Sequence, residues 1–127
     1  LRILTARGFE VQCEYPCPGA EHAPRGDKKR IDFYATGHSL ELAIEVKWAK
    51  SKSPNIDRDV AKLRSFLAAN AAVIHLLCVF GRKSQLENLE LSEPQLSERG
   101  AQRVADLGKT RYGCRIYQLK PNKAAKK

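Results

Sequence analysis

The sequence predicts a single α/β domain in which helices flank a mixed β-sheet. Three observations predict this fold class: two strand-like segments joined by a short polar linker, an amphipathic helix pattern after them, and a nearly unbroken apolar run beyond that helix. The chain has 127 residues, a length typical of one domain, and 43% of them are hydrophobic. We expect the domain to span residues 1–120 and a basic, disordered tail to occupy residues 121–127.

Two strands, each with one apolar and one charged face, are predicted at residues 30–35 and 41–48. Apolar and polar side chains alternate along both segments, and successive strand residues point to opposite faces of a sheet. Val46 and Trp48 belong to the predicted apolar face. The linker at residues 36–39 contains glycine and small polar residues, which favour a tight hairpin. We therefore expect the two strands to be neighbours in the sheet.

The predicted hairpin brings acidic side chains from both strands onto one charged face. It sets Asp32 beside Glu45, and Lys47 follows two residues along that face, about 6 to 7 Å away between Cα atoms. Two carboxylates from adjacent strands are oxygen ligands suited to Mg²⁺, and a nearby ammonium can orient a water and stabilise developing negative charge. The alternative is a solvated strand face on which these residues form only surface ion pairs.

Asp32, followed by the run Ile44-Glu45-Val46-Lys47, resembles the motif of the PD-(D/E)XK nuclease superfamily. The resemblance implies a restriction-endonuclease-like fold with an αβββαβ core, and the element order predicted for this chain matches that core. It also implies that Asp32 and Glu45 bind Mg²⁺, with Mn²⁺ as a possible substitute, and that the backbone carbonyl of Val46 adds a ligand. The implied role of Lys47 is to serve the nucleophilic water.

A further strand is predicted at residues 9–15, which alternate apolar and polar side chains after a helix that ends at Gly8. Many members of the superfamily that the chain resembles carry an acidic residue on the first helix, and residues 1–8 contain none. Glu10 or Glu14 could supply this further carboxylate if the strand lies beside the hairpin. A solvated glutamate on an outer strand face is the alternative for each.

The positive charge of the chain predicts a polyanionic partner. Lys and Arg number 23 against 14 Asp and Glu, which gives a formal net charge of +9. DNA is the first candidate, because neutralising phosphates is the usual source of affinity for nucleic acid, and a solvated basic surface is the alternative. Five basic residues that flank the acidic pair in sequence are expected to hold the DNA backbone: Lys28, Lys29, Arg30, Lys50 and Lys52.

An amphipathic helix is predicted from residue 53 onward, with Lys62 and Arg64 available to solvent or phosphate. Asp57 and Asp59 lie in its first turns, where they favour the positive end of the helix dipole. The apolar run at residues 72–80 predicts a fourth strand covered on both faces and reached by this helical crossover.

The last third of the chain carries weaker patterns. Residues 82–91 are compatible with a short helix, and residues 92–107 predict a second helix because apolar residues recur there at helical spacing. Residues 112–120 predict a last strand at the edge of the sheet. The predicted fold is therefore the six-element core with an extra C-terminal helix and strand.

The sequence as a whole predicts a Mg²⁺-dependent DNA endonuclease that hydrolyses phosphodiester bonds with metal-activated water. Two alternatives remain: a non-catalytic nucleic-acid-binding module on the same scaffold, and a protein-interaction subunit with an acidic partner. A homodimer is possible, because a pair of sites is the simplest way to cut two strands. No segment approaches the ~20 apolar residues that cross a bilayer and no signal peptide is evident, so we expect a cytoplasmic protein without a membrane partner. The start at Leu1, within a helix-like segment, leads us to expect preceding residues.

Overall fold

The computed structural model describes residues 2–17, 30–69, 72–91, 93–100, 102–107 and 109–120. Its helices and strands follow in the order α1 (Arg2–Ala6), β1 (Glu10–Pro16), β2 (Arg30–Gly37), β3 (Leu40–Ala49), α2 (Asp57–Ala69), β4 (Ile74–Arg82), α3 (Lys83–Glu87), β5 (Leu96–Glu98), β6 (Arg103–Leu107) and β7 (Thr110–Leu119). The first six elements have the predicted order of one helix, three strands, one helix and one strand. Lys28, Lys29 and the predicted tail at residues 121–127 lie outside the described residues.

The strands form one mixed, open seven-stranded sheet, which confirms the predicted α/β class. The strand order is β1-β2-β3-β4-β7-β5, and β6 pairs with β7 beside β5. The β3–β4 pair is parallel, because α2 carries the chain back across the sheet, and every other pair is antiparallel. No helix of the described ranges is long and apolar enough to cross a membrane.

The end of the N-terminal helix contacts the hairpin turn, where His38 Nε2 lies 2.6 Å from the Arg7 carbonyl oxygen. Helix α1 ends at Gly8, which has φ +89°, and the N–H groups of Gly8 and Phe9 donate to the carbonyls of Thr5 and Leu4 in the pattern of a Schellman cap. The predicted hairpin turns at His38 and Ser39, which have the positive φ angles of a type I′ turn, 51° and 62°.

Two hydrophobic cores cover the two faces of the sheet. Helix α2 packs Val60, Leu63 and Phe66 on one face, against residues of β3, β4 and β7. On the other face, Leu4 of α1 packs over a smaller core of β1 to β4 that contains Ala35. The second core contains no residue of β3 beyond Ile44, so the C-terminal end of this strand is left uncovered on that face.

At that end of β3, the face predicted to be charged is buried and the face predicted to be apolar is exposed. Ala43 and Glu45 are buried beneath α2, whereas Val46 and Trp48 are exposed on the opposite face. The alternation itself was predicted correctly. Alternation alone does not say which face a helix will cover. The buried Glu45 is accommodated because the Lys62 ammonium of α2 and the backbone N–H of Asp32 on β2 contact it.

Near Glu14, the apolar side chains of the first two strands change from one core to the other. Glu14 has φ +54°, and the residues beyond it, Tyr15 and its register partner Ile31, belong to the α2-side core, unlike Val11 and its neighbours. Tyr15 stacks on Tyr34 with ring centroids 4.6 Å apart. The alternation predicted over residues 9–15 assigns Tyr15 to the same face as Phe9 and Val11, and this part of the prediction is wrong.

Two C-terminal predictions are also wrong. Residues 92–107, predicted as a helix, contain the strands β5 and β6, separated by Gly100 with φ +73°. The last strand, β7, is not at the edge, because it lies between β4 on one side and β5 and β6 on the other. The extra elements of the fold are thus a short helix and three strands.

Candidate active site

Asp32 and Glu45 meet where the β2–β3 ladder ends. The last regular pair at this end is Phe33 with Ile44, so the next position places Asp32 opposite Glu45. There the side chains take over the role of the ladder: the backbone N–H of Asp32 donates to Glu45 Oε1 at 2.9 Å, and the N–H of Val46 donates to Asp32 Oδ2 at 2.7 Å. Both carboxylates therefore lie in the opening between the two strands.

The carbonyl of Val46 is directed to the same opening. The N–H and C=O of one strand residue point toward the same neighbouring strand. Because the N–H of Val46 contacts Asp32 on β2, its carbonyl faces β2 as well. Two carboxylates and one backbone carbonyl thus line this end of the hairpin.

Two residues of α2 complete a cluster of five charged side chains. Lys62 Nζ lies 3.1 Å from Glu45 Oε2, and Lys47 Nζ lies 3.6 Å from Asp59 Oδ2. Lys47 therefore extends toward α2 on the same side of the sheet as Glu45 and does not enter the apolar interior. We call these five residues the charged cluster: Asp32, Glu45, Lys47, Asp59 and Lys62.

Sequence patterns did not identify Asp59 and Lys62 as members of the site. Asp59 was assigned to the helix dipole, and Lys62 and Arg64 to solvent or phosphate, but Arg64 contacts Glu93 at 3.0 Å. The available signal was spacing: residues 59, 62 and 66 are separated by three and four positions, so Asp59 and Lys62 share the helix face of the buried Phe66.

Glu45 is the electrostatic centre of the cluster. Only 1% of the Glu45 surface is exposed to solvent. Burial, followed by repulsion from the Asp32 carboxylate, raises the pKa of Glu45 to about 7, although hydrogen bonds from Lys62 and the Asp32 N–H act in the opposite direction. Burial by itself would lower the pKa of Lys62, but the hydrogen bond to Glu45 and the nearby negative charges raise it. The site therefore holds two mutually repelling acids, Asp32 and Glu45. The half-buried ammonium of Lys62 lies beside Glu45.

These groups fit a hard divalent cation better than a transition metal held by protein ligands alone. Among the described residues there is no group of three or more His, Cys, Asp or Glu side chains that could hold a metal. Mg²⁺, however, is usually bound by one or two carboxylates together with water and substrate phosphate. Asp32 and Glu45 supply two carboxylates whose repulsion a cation would relieve, as Lys62 does in part.

The two proposed additional acids differ in position. Glu10 pairs with Thr36, four residues along β2 from Asp32, so the sheet does not bring it to the opening. Glu14 stands opposite Asp32 in the register and is exposed. Glu14 is therefore the one of the two that remains a candidate.

The predicted DNA-contacting residues that the structure describes lie at the same end of the sheet. Arg30 begins β2 two residues before Asp32, and Lys50 and Lys52 follow the end of β3. All three residues are exposed. The opening between the strands thus has basic residues on both sides.

No protein-family model matches the chain, and no curated protein matches it either.

Proposed function

We propose that the chain is a divalent-metal-dependent DNA endonuclease of the PD-(D/E)XK type, with a restriction-endonuclease-like fold. The observation that carries the proposal is the opening between β2 and β3, where the carboxylates of Asp32 and Glu45 replace ladder hydrogen bonds. Lys47 lies on the Glu45 side of the sheet, and exposed Arg30 and Lys52 flank the opening. Acids that repel each other beside a basic surface suit a cation and a phosphodiester together.

Asp32 and Glu45 would hold the cation with the carbonyl of Val46, and Mg²⁺ or Mn²⁺ fits this oxygen set. When bound, the cation polarises the phosphodiester and lowers the pKa of water. Glu45 must be ionised for this role, so its neutral form at lower pH opposes binding. The ammonium of Lys62 must leave Glu45 Oε2 or share it, because it occupies the approach to that oxygen.

Lys47 would act on the attacking water. Its ammonium would donate a hydrogen bond to the water oxygen, which forms a bond to phosphorus while the bond between phosphorus and the sugar oxygen breaks. The proton of the attacking water passes to bulk solvent, and the departing sugar oxygen takes up a proton from solvent. The same positive charge stabilises the negative charge that grows on the phosphate oxygens. Asp59 positions Lys47, because its carboxylate holds the ammonium 3.6 Å away on the α2 side.

A second candidate function is a non-catalytic nucleic-acid-binding module on the same scaffold. One observation favours it: the Lys62 ammonium already neutralises Glu45 from 3.1 Å, so the carboxylate has a partner without any metal. In that case the charged cluster would be a buried ion-pair network that fixes α2 on the sheet, and only the basic surface would bind nucleic acid.

A cleavage assay separates the two functions. The purified chain is incubated with plasmid, linear and branched DNA in Mg²⁺, Mn²⁺ or EDTA. We expect nicking that requires the metal and that falls at least about a hundredfold in Asp32→Asn, while DNA affinity stays near that of the unmodified chain. Glu41→Gln is the matched control, because it removes a carboxylate from the neighbouring strand β3 of the same hairpin, where Glu41 accepts a hydrogen bond from Tyr34 outside the charged cluster.

Metal-independent nicking, or full cleavage by Asp32→Asn, would contradict the proposal. Tight, salt-sensitive DNA binding without nicking in either metal would favour the non-catalytic module.

A further inference from the structure

The face of the sheet opposite the charged cluster carries an exposed aromatic surface. Trp48 of β3 and Phe80 of β4 are register partners, so their side chains are neighbours on one face. Trp48 is 52% exposed, and Phe80 and Val46 are each 37% exposed. Tyr112 of β7 extends this surface, with its ring centroid 5.8 Å from that of Trp48. We call Val46, Trp48, Phe80 and Tyr112 the aromatic face.

A cavity of about 220 Å³ opens beside Trp48 at the ends of β3 and β4. The described residues that line it are Trp48, Ala49, Lys50, Arg82 and Gln85. None of these carries a negative charge, and neither Lys50 nor Arg82 forms an ion pair with an acidic residue in the described part of the chain. The cavity therefore combines an aromatic wall, two unneutralised cations and one amide.

A second, also basic cavity shares the lining residue Arg82 with the first. It has a volume of about 390 Å³. Lys109 adds further positive charge to its walls, where Lys83 is paired with Glu87. The walls of the two cavities thus carry cations that could follow a chain of phosphates.

We propose that the cavity beside Trp48 binds an unpaired nucleobase of a single-stranded nucleic acid, with the flanking phosphates against Lys50 and Arg82. Aromatic side chains that project from a sheet, set beside a positively charged groove, are the means by which proteins stack unpaired bases and follow their backbone. Gln85 offers both a donor and an acceptor to the edge of a base. The aromatic rings account for the base, and the two cations account for the phosphates.

A second copy of the chain is the competing occupant of the aromatic face. In such a dimer, Lys50 and Arg82 of one copy would face Lys50 and Arg82 of the other, because a two-fold interface places identical patches against each other. Charge complementarity therefore favours a polyanion, which matches the formal net charge of +9.

Base binding beside Trp48 does not depend on the proposed DNA hydrolysis. Glu45 and Lys47 lie on the α2 face of β3, and Trp48 lies on the other. Removal of the Asp32 carboxylate should therefore leave base binding intact. A chain without nuclease activity could still bind single strands here.

Trp48 is the only tryptophan of the chain, so its fluorescence reports on the site directly. The full chain is titrated in EDTA with oligothymidylate, with oligouridylate and with an abasic oligonucleotide of equal length. We expect the two base-containing strands to quench Trp48 fluorescence and the abasic strand to leave it unchanged. Comparison of the thymidylate and uridylate affinities distinguishes DNA from RNA as the source of the base.

Variants test the roles of the rings and the cations. We expect Trp48→Leu to weaken oligothymidylate binding about tenfold to a hundredfold, measured by anisotropy of a labelled strand, and Trp48→Phe to recover most of that loss. Arg82→Gln should weaken base-containing and abasic strands alike, because it removes a phosphate contact. Asp32→Asn should bind as the unmodified chain does, which separates this site from the proposed active site.

Equal quenching by the abasic strand, or unchanged affinity in Trp48→Leu, would overturn the proposal. So would sedimentation that shows the unliganded chain to associate through a contact that Trp48→Leu abolishes, because the aromatic face would then be a self-association surface.

Discussion

Glu45 is a carboxylate that the fold removes from water without giving it a fully compensating partner. Its burial and the Asp32 charge outweigh the favourable contacts from Lys62 and the Asp32 N–H, so its pKa rises to about 7. An ordinary structural ion pair would instead lower the pKa of the acid. Raised pKa values in opposed carboxylates are a recurring property of functional sites, and here geometry and electrostatics indicate the same pair.

The raised pKa predicts how the stability of the metal-free chain depends on pH. Because folded Glu45 binds its proton more tightly than unfolded Glu45, the folded state is favoured at low pH, and this contribution is lost as the pH rises through about 7. In EDTA, Glu45→Gln should be close to the unmodified chain in stability at pH ~5 and more stable by about 1 to 3 kcal/mol at pH ~8. Urea unfolding at the two pH values measures the difference.

Glu10→Gln, at an exposed position of β1, provides the control for this experiment. An identical stability difference between Glu45→Gln and the unmodified chain at both pH values would contradict the assignment of a raised pKa to Glu45.

Helix α2 both covers the sheet and contributes charge to the site. Its apolar residues Val60, Leu63 and Phe66 bury the α2 face, while Asp59 and Lys62 on adjoining positions contact Lys47 and Glu45. The crossover that makes β3 and β4 parallel therefore also closes the charged cluster.

Loss of the Lys62 ammonium should destabilise the chain, because it leaves the buried Glu45 carboxylate without its cationic partner. We expect Lys62→Gln to lower the free energy of unfolding by about 1 to 3 kcal/mol at pH ~8 and by less at pH ~5, where Glu45 can take up a proton. Arg58→Gln, on an exposed position of the same helix, should change it by less than about 0.5 kcal/mol. Thermal unfolding at both pH values checks the comparison, and equal losses in the two variants would contradict this role of Lys62.

Local patterns were sufficient to predict the hairpin, helix α2, strand β4 and the meeting of Asp32 with Glu45. The hairpin requires only alternation and a short linker, and the two acids follow from its register. Alternation does not predict which face of β3 the helix covers. Ala43 and Glu45 form the less apolar face, and yet this face is the buried one. That choice depends on contacts with Lys62, which is far away in sequence.

The C-terminal strands were missed for a different reason. Leu96, Val104 and Leu107 recur at spacings compatible with a helix, but β5 and β6 are short strands that form by pairing with β7. Their conformation is therefore set by a later segment of the chain and by the turn at Gly100, not by local periodicity.

At the scale of the whole molecule, the surplus of positive charge should make DNA binding strongly dependent on salt. Each phosphate contact contributes about 1 to the slope of log affinity against log salt concentration. Combined Arg30→Gln and Lys52→Gln substitution should therefore reduce that slope by about 2 and weaken binding to any sequence. Lys120→Gln is the control, because β7 runs antiparallel to β4 and carries Lys120 to the opposite end of the sheet.

Fluorescence anisotropy of labelled duplex DNA across a salt series provides the slopes. An unchanged slope in the double variant would place the DNA contacts elsewhere on the surface.

The most direct test of the account is a crystal structure of the chain soaked in Mn²⁺ at pH ~8, with anomalous scattering used to locate the metal. Mn²⁺ replaces Mg²⁺ in this experiment because it scatters strongly enough to be identified. We expect a single anomalous peak in bonding contact with the carboxylates of Asp32 and Glu45, with Lys62 Nζ moved away from Glu45 Oε2. An Asp32–Glu45 opening without a peak, in which Lys62 still contacts Glu45, would contradict it.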